Sequence, residues 1–155
     1  MNWDLLDFLV FGGMIAALLL IIFIARRQSA NPSYRFAMAI AGVGGFLVAW
    51  INGAVGIIGN EENDANLLFF GILGVAAVGA LIARFKASGM ARTMAFVAGL
   101  QVFVAAFAIA ADLGADSPGW PRGLLSITAV ITLVWLLSAW LFSRAAKRER
   151  RFFVD

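Results

Sequence analysis

The chain of 155 residues contains no cysteine and no histidine. Without cysteine it has no disulfide, no thiolate nucleophile and no cysteine-held metal cluster. Without histidine it lacks the commonest axial ligand of haem, the usual metal-binding imidazole and the one side chain that titrates near neutral pH unperturbed. Charge is scarce as well: 14% of residues are Asp, Glu, Lys or Arg, whereas an average soluble domain carries roughly a quarter. No charged residue interrupts the long apolar runs at hydrocarbon depth. Proton pumps and ion-coupled transporters place an ionisable group there despite its cost, so active transport is disfavoured. The serines have no histidine or lysine arranged as a base. The sequence therefore predicts neither an enzyme nor a cofactor protein.

What fills the chain instead is apolar, 63% of all residues with a mean hydropathy of +0.92. A helix crossing the hydrocarbon core needs about 20 such residues. Five stretches qualify, at about 5–25, 36–59, 66–84, 92–112 and 121–143. They are continuous rather than alternating, the pattern of helices in lipid, where a backbone must satisfy its own hydrogen bonds. The prediction is an all-α bundle of five transmembrane helices in a single membrane domain, 1–155, ending in a basic tail, 144–155. The first stretch is read as a retained helix rather than a secretory signal. It has Asp4 and Asp7 where a signal has a basic start, its apolar part is too long, and Arg26 and Arg27 follow as a stop-transfer flank.

Charge sorts along this ladder. Alternating loops place Arg26, Arg27, Arg35, Arg84, Lys86, Arg92, Arg144, Lys147, Arg148, Arg150 and Arg151 on one side. The other side holds Arg122 together with Asp4, Asp7, Glu61, Glu62, Asp64, Asp112 and Asp116. By the positive-inside pattern the basic side is cytoplasmic, which puts the N-terminus outside, the C-terminus inside and the chain in a bacterial inner membrane. The pI near 10.2 thus reflects topology and contact with anionic headgroups rather than nucleic-acid binding. Trp3, Trp50, Phe69, Phe70 and Trp120 fall toward the outer interface and Tyr34, Phe85, Trp140 and Phe142 toward the inner one, as interfacial rings prefer. Trp135 falls deeper. Asp4 and Asp7 at the first helix, Asp64 at the third and Pro121 at the fifth suit helix starts.

The short turn from Arg84 to Arg92 makes the third and fourth helices antiparallel neighbours. An internal echo relates residues 35–46 to 92–103, with Arg, Ala, Gly and Phe at matching offsets. It suggests a duplicated hairpin, helices two and three corresponding to four and five.

Candidate features are few. The second helix is rich in small residues (Ala37, Ala41, Gly42, Gly44, Gly45), which marks it as the central packing helix. Its continuation through Gly53, Gly56 and Gly59 overshoots one hydrocarbon thickness, so 53–59 is either tilted helix or a distorted, re-entrant segment. Asn52 lies near the outer interface. Gln101 falls near the midplane and needs a partner, for which Ser126, Thr128, Thr132 and Ser138 are the expected hydroxyls. These amides, with Thr128 and Thr132, are polar packing groups or the lining of a path. Glu61, Glu62 and Asp64 carry oxygen ligands suited to Ca²⁺ but lack the EF-hand spacing, so a solvated loop is preferred to a metal site. The expected function is a non-catalytic accessory or assembly subunit of a larger membrane complex, partnered by a membrane protein or by its own copies. The alternative is a small channel or facilitator.

Overall fold

The computed structural model describes residues 5–151. Trp3, Asp4, Phe152 and Phe153 lie outside the described residues, as does the side chain of Asp7. Among the described residues the chain is all-helical: α1 (Leu5–Gln28), α2 (Pro32–Ala54), α3 (Leu67–Ile82), α4 (Ala87–Ala110) and α5 (Arg122–Arg151), with one 3-10 turn (Asp64–Asn66) before α3. All five are long and apolar enough to cross a membrane, the 3-10 turn being counted with α3. The surface agrees: Leu19, Phe36, Leu81, Ile82, Phe103 and Leu133 are all exposed. In water so wide an apolar surface would aggregate; in lipid it is the solvated face.

The helix ends follow local chemistry. Asn31 caps α2 through its side chain, which accepts from the Ser33 N–H, and Pro32 occupies the first turn, where its missing N–H costs nothing. This starts α2 four residues before the apolar run at Phe36, because a helix continues into the headgroup region where hydropathy no longer marks it. α4 likewise begins at Ala87, five residues before Arg92. The expected cap Asp64 is replaced by Asn63, whose Oδ1 accepts from the Ala65 N–H. Pro121 precedes α5 and its carbonyl accepts from the Leu125 N–H. At 30 residues α5 is about 45 Å long, half as long again as the ~30 Å hydrocarbon core. Its basic last turns therefore project beyond that core as a continuation of the helix.

Long-range bonds fix the two ends of the bundle. The Tyr34 hydroxyl donates to the Phe85 carbonyl at 2.6 Å and the Tyr34 ring packs edge-on against Phe142 at 5.3 Å. The starts of α2 and α4 and the end of α5 thus share one end, with every cation but Arg122 near it in sequence. At the other end Asn52 donates to the Asn66 carbonyl and Asn63 Nδ2 to the Leu113 carbonyl, and Glu61, Glu62, Asp64, Asp112 and Asp116 are near these residues in sequence.

α5 is the hub, packed along α4 and α2; α1 lies on α2, and α3 lies on α4 with only slight contact to α2. The neighbours α3 and α4 are as expected. The echo does not produce matching α2–α3 and α4–α5 pairs, since the first is barely in contact and the second is the most extensive in the molecule. The contacts instead group α1 with α2 and α3 with α4, and the echo relates the second helix of each of these hairpins. Close approach is set by small residues. A Cβ on Gly42 would meet Leu18 and Ile21 of α1, and one on Gly44 would lie 2.9 Å from Val134 and 3.3 Å from the Trp135 ring of α5. α2 is thus pressed between its neighbours by glycines on different faces, but the central helix is α5 rather than α2, because α5 packs along both α2 and α4.

The apolar run 36–59 is not one helix. α2 stops at Ala54, and residues 55–63 form an irregular segment that turns back onto the bundle, burying Ile57 and Ile58. Gly56 (φ +73°) and Gly59 (φ +77°) allow the reversal, since positive φ is costly for any residue with a Cβ. At Gly56 a Cβ would also collide with the Asn60 carbonyl.

Candidate functional site

The polar residues singled out by sequence fall into two groups. The first organises the acidic end. Asn66 is buried; its Oδ1 accepts from the Ile57 and Ile58 N–H groups at 2.9 and 2.8 Å, and its Nδ2 donates to the Asn60 carbonyl at 2.6 Å. One side chain therefore satisfies three backbone groups of an irregular loop that would otherwise be buried without partners. Asn52, fully within α2, holds Asn66 from below through its carbonyl. Gly56 and Gly59 belong to this loop, while Gly53 is exposed at the end of α2 with open space around it. The arrangement is a plug of two isoleucines pinned by asparagines. Glu61, Glu62 and Asp64 are exposed, and among the described residues no group of three carboxylates comes together as metal ligands would. The sequence marks Asn66, central to the plug, only as one of three amides in the acidic loop 60–66; Asn is so common in loops that only the geometry distinguishes it.

The second group is a buried polar seam. Gln101 is completely buried on α4, and its Oε1 accepts from the Trp135 indole N–H at 3.0 Å. The expected hydroxyl partners are not used. Ser126 bonds within its own helix to the Arg122 carbonyl, and Ser138 crosses to the Ala37 carbonyl of α2 at 2.9 Å. The signal for the true partner was Trp135, the one tryptophan placed deep in a span, where an indole N–H must find an acceptor.

Four buried side-chain atoms among the described residues have no hydrogen-bond partner: Asn52 Oδ1, Gln101 Nε2, Thr128 Oγ1 and Thr132 Oγ1. Thr93, Ser126 and Ser143 satisfy themselves on the carbonyl four residues back; Thr128 and Thr132 do not. From Thr128 to Trp135 the seam covers about 10 Å along α5. Trp135, Ile131 and Val48 belong to the same buried core, each 1% exposed or less. The seam can hold helices in register, and it has the donors and acceptors to hold small neutral groups. It has no ionisable residue with which to do acid–base chemistry.

The Gln101–Trp135 bond makes a measurable prediction. In a double-mutant cycle of Gln101→Leu and Trp135→Phe, scored by unfolding in mixed micelles, we expect a favourable coupling of about 0.6–2 kcal/mol, the range for interhelical bonds in membranes. Strict additivity of the two losses would show that the bond contributes nothing.

Beyond the interior, two grooves flank α3. One is a half-open apolar crevice of about 530 Å³ between α1 and α3, floored by α2. The other, about 610 Å³, lies on the α3–α4 face over Gly71, Gly74, Val75 and Val78. A polar basin of about 470 Å³ sits at the basic end among Gln28, Ser29, Tyr34, Lys86, Glu149 and Arg150. No family model matches this chain, and no curated protein or solved structure is significantly similar to it.

Proposed function

We propose that this multi-pass membrane protein is a non-catalytic subunit of a larger assembly in a bacterial inner membrane, with its basic end in the cytoplasm, and that it packs partner helices against α3. The observation that carries this reading is the set of glycines the bundle itself does not need. Gly42, Gly44 and Gly79 are required by close helix contacts, but Cβ atoms at Gly71 and Gly74 would meet nothing within 4 Å. Glycine in a helix interior costs about 1 kcal/mol relative to alanine, and Gly71 and Gly74 differ from the other uncrowded glycines in lining a groove, which leaves room for an approach from outside. In lipid, small residues on a groove are how helices come close enough to associate.

The test is extraction in a gentle detergent followed by identification of any stoichiometric companion, whether another chain or a second copy. Gly71→Leu combined with Gly74→Leu is expected to release that companion while leaving the melting of the chain itself unchanged. A parent protein that runs as a clean monomer, identical to the variant, would remove the proposal.

A path for a small neutral solute is the second reading, favoured by the three unpartnered atoms of the seam, on Gln101, Thr128 and Thr132. It predicts flux into proteoliposomes that is lost in Gln101→Leu. The dense burial of Trp135, Ile131 and Val48 around it favours the first reading.

A further inference from the structure

The crevice between α1 and α3 has a shape that a partner helix does not explain. Its walls are positions 14–24 of α1, 38–49 of α2 and 73–81 of α3, which start near the basic end and stop short of the acidic end of each helix. Ten residues of helical rise make it about 15 Å deep, half of the ~30 Å hydrocarbon core. A transmembrane helix would run the whole thickness, whereas a lipid tail occupies one leaflet. The lining is nearly all carbon, and small residues (Ala17, Gly42, Gly45, Ala77) keep it open as far inward as Trp135.

Its basic end meets a cluster of cations. The α3 wall ends at Leu81 and the turn then carries Arg84 and Lys86. Phe85 lines both the apolar crevice and the polar basin that contains Lys86 and Arg150, with Glu149 as the opposing acid. This junction is held in place: Arg84 and Phe85 both adopt positive φ, 48° and 55°, and the Tyr34 hydroxyl grips the Phe85 carbonyl. An apolar slot about one leaflet deep, leading past Phe85 to a basin that holds Lys86 and Arg150, is complementary to an amphiphile with a negative head.

We propose that the protein binds one anionic phospholipid here, with one acyl chain in the crevice between α1 and α3 and the phosphate against Arg84 and Lys86. The second acyl chain stays in the bilayer. The site is separate from the α3 glycine face and does not rest on the subunit reading.

The experiment reconstitutes the full chain in vesicles of equal parts phosphatidylglycerol and phosphatidylcholine with identical acyl chains. It is then released into gentle detergent, and retained lipid is counted by native mass spectrometry. One lipid per chain is expected, with phosphatidylglycerol favoured about fivefold for each engaged cation. Arg84→Asn with Lys86→Gln should bring the two lipids to parity, asparagine being chosen because it tolerates positive φ. Ala77→Leu and, independently, Ala17→Leu narrow the slot at residues exposed to it and should each abolish retention of both lipids. Equal retention of the two lipids by the parent would overturn the proposal, as would undiminished retention in both slot variants. The Gly71→Leu, Gly74→Leu chain should keep its lipid, which separates failure here from failure of the partner-docking reading.

Discussion

Asn66→Leu is expected to lower the stability of the folded bundle by about 3–5 kcal/mol, because it strands two N–H groups and one carbonyl at roughly 1–3 kcal/mol each, partly relieved by water entering the opened loop. The side chain that is lost holds Ile57, Ile58 and Asn60 simultaneously. Leucine matches asparagine in bulk but can neither donate nor accept, so the loss would be one of hydrogen bonding rather than volume. Ile58 is fully buried and the chain has no native cysteine, so Ile58→Cys provides a local probe. Its thiol should resist a water-soluble reagent in the parent and react readily when Asn66→Leu is added. Equal reactivity in both backgrounds would mean that the plug does not depend on Asn66. Asn66→Asp should fall between, retaining the two acceptor positions while losing the donor to Asn60.

Gly44→Leu should separate α2 from α5 and prevent the native bundle from forming. Even one carbon at this position would approach Val134 at 2.9 Å and Trp135 at 3.3 Å. Val134 is stiff at its first side-chain torsion, and Trp135 is buried and tied to Gln101, so neither can yield cheaply. Gly44→Ala is expected to cost about 1–3 kcal/mol, the usual penalty of overpacking. The displaced helix would also draw Ala37 away from the Ser138 hydroxyl. Gly99→Ala is the matched control: it sits on α4 with nothing within 4 Å of its would-be Cβ, and should be neutral or stabilising by up to about 1 kcal/mol. Unfolding of the three proteins in one detergent system checks the ordering. Indistinguishable curves for Gly44→Ala and Gly99→Ala would contradict the close packing of α2 on α5.

Much of this architecture was legible in the order of residues, and the places where it was not share a cause. The close packing of the second helix could be read from its small residues, although the hub is α5, and the adjacency of the third and fourth helices could be read from a turn too short to permit anything else. The need of Gln101 for a buried partner could be read too. The partner could not, because it depends on which face of α5 meets α4: rotating α5 would exchange the hydroxyls of Thr128 or Thr132 for the indole of Trp135. The 53–59 segment was ambiguous for a similar reason. Apolar content alone does not distinguish helix from a buried loop, and the decisive group, Asn66, lies outside the segment it organises.

The sequence by itself determined that this protein lives in lipid, that five helices have the length and apolarity to cross it, and that cations and acids sort to opposite ends. Run length and the order of charges are properties along one dimension, and the bilayer reads them directly. Tertiary structure decided which helices touch, how the acidic end is closed, that α1 and α3 stand apart around an apolar slot, and which glycines lie unused on the surface. Those outcomes depend on the rotation and register of each helix about its own axis. In a medium as apolar as the side chains themselves, hydropathy hardly constrains rotation, and close packing and paired polar groups set it instead.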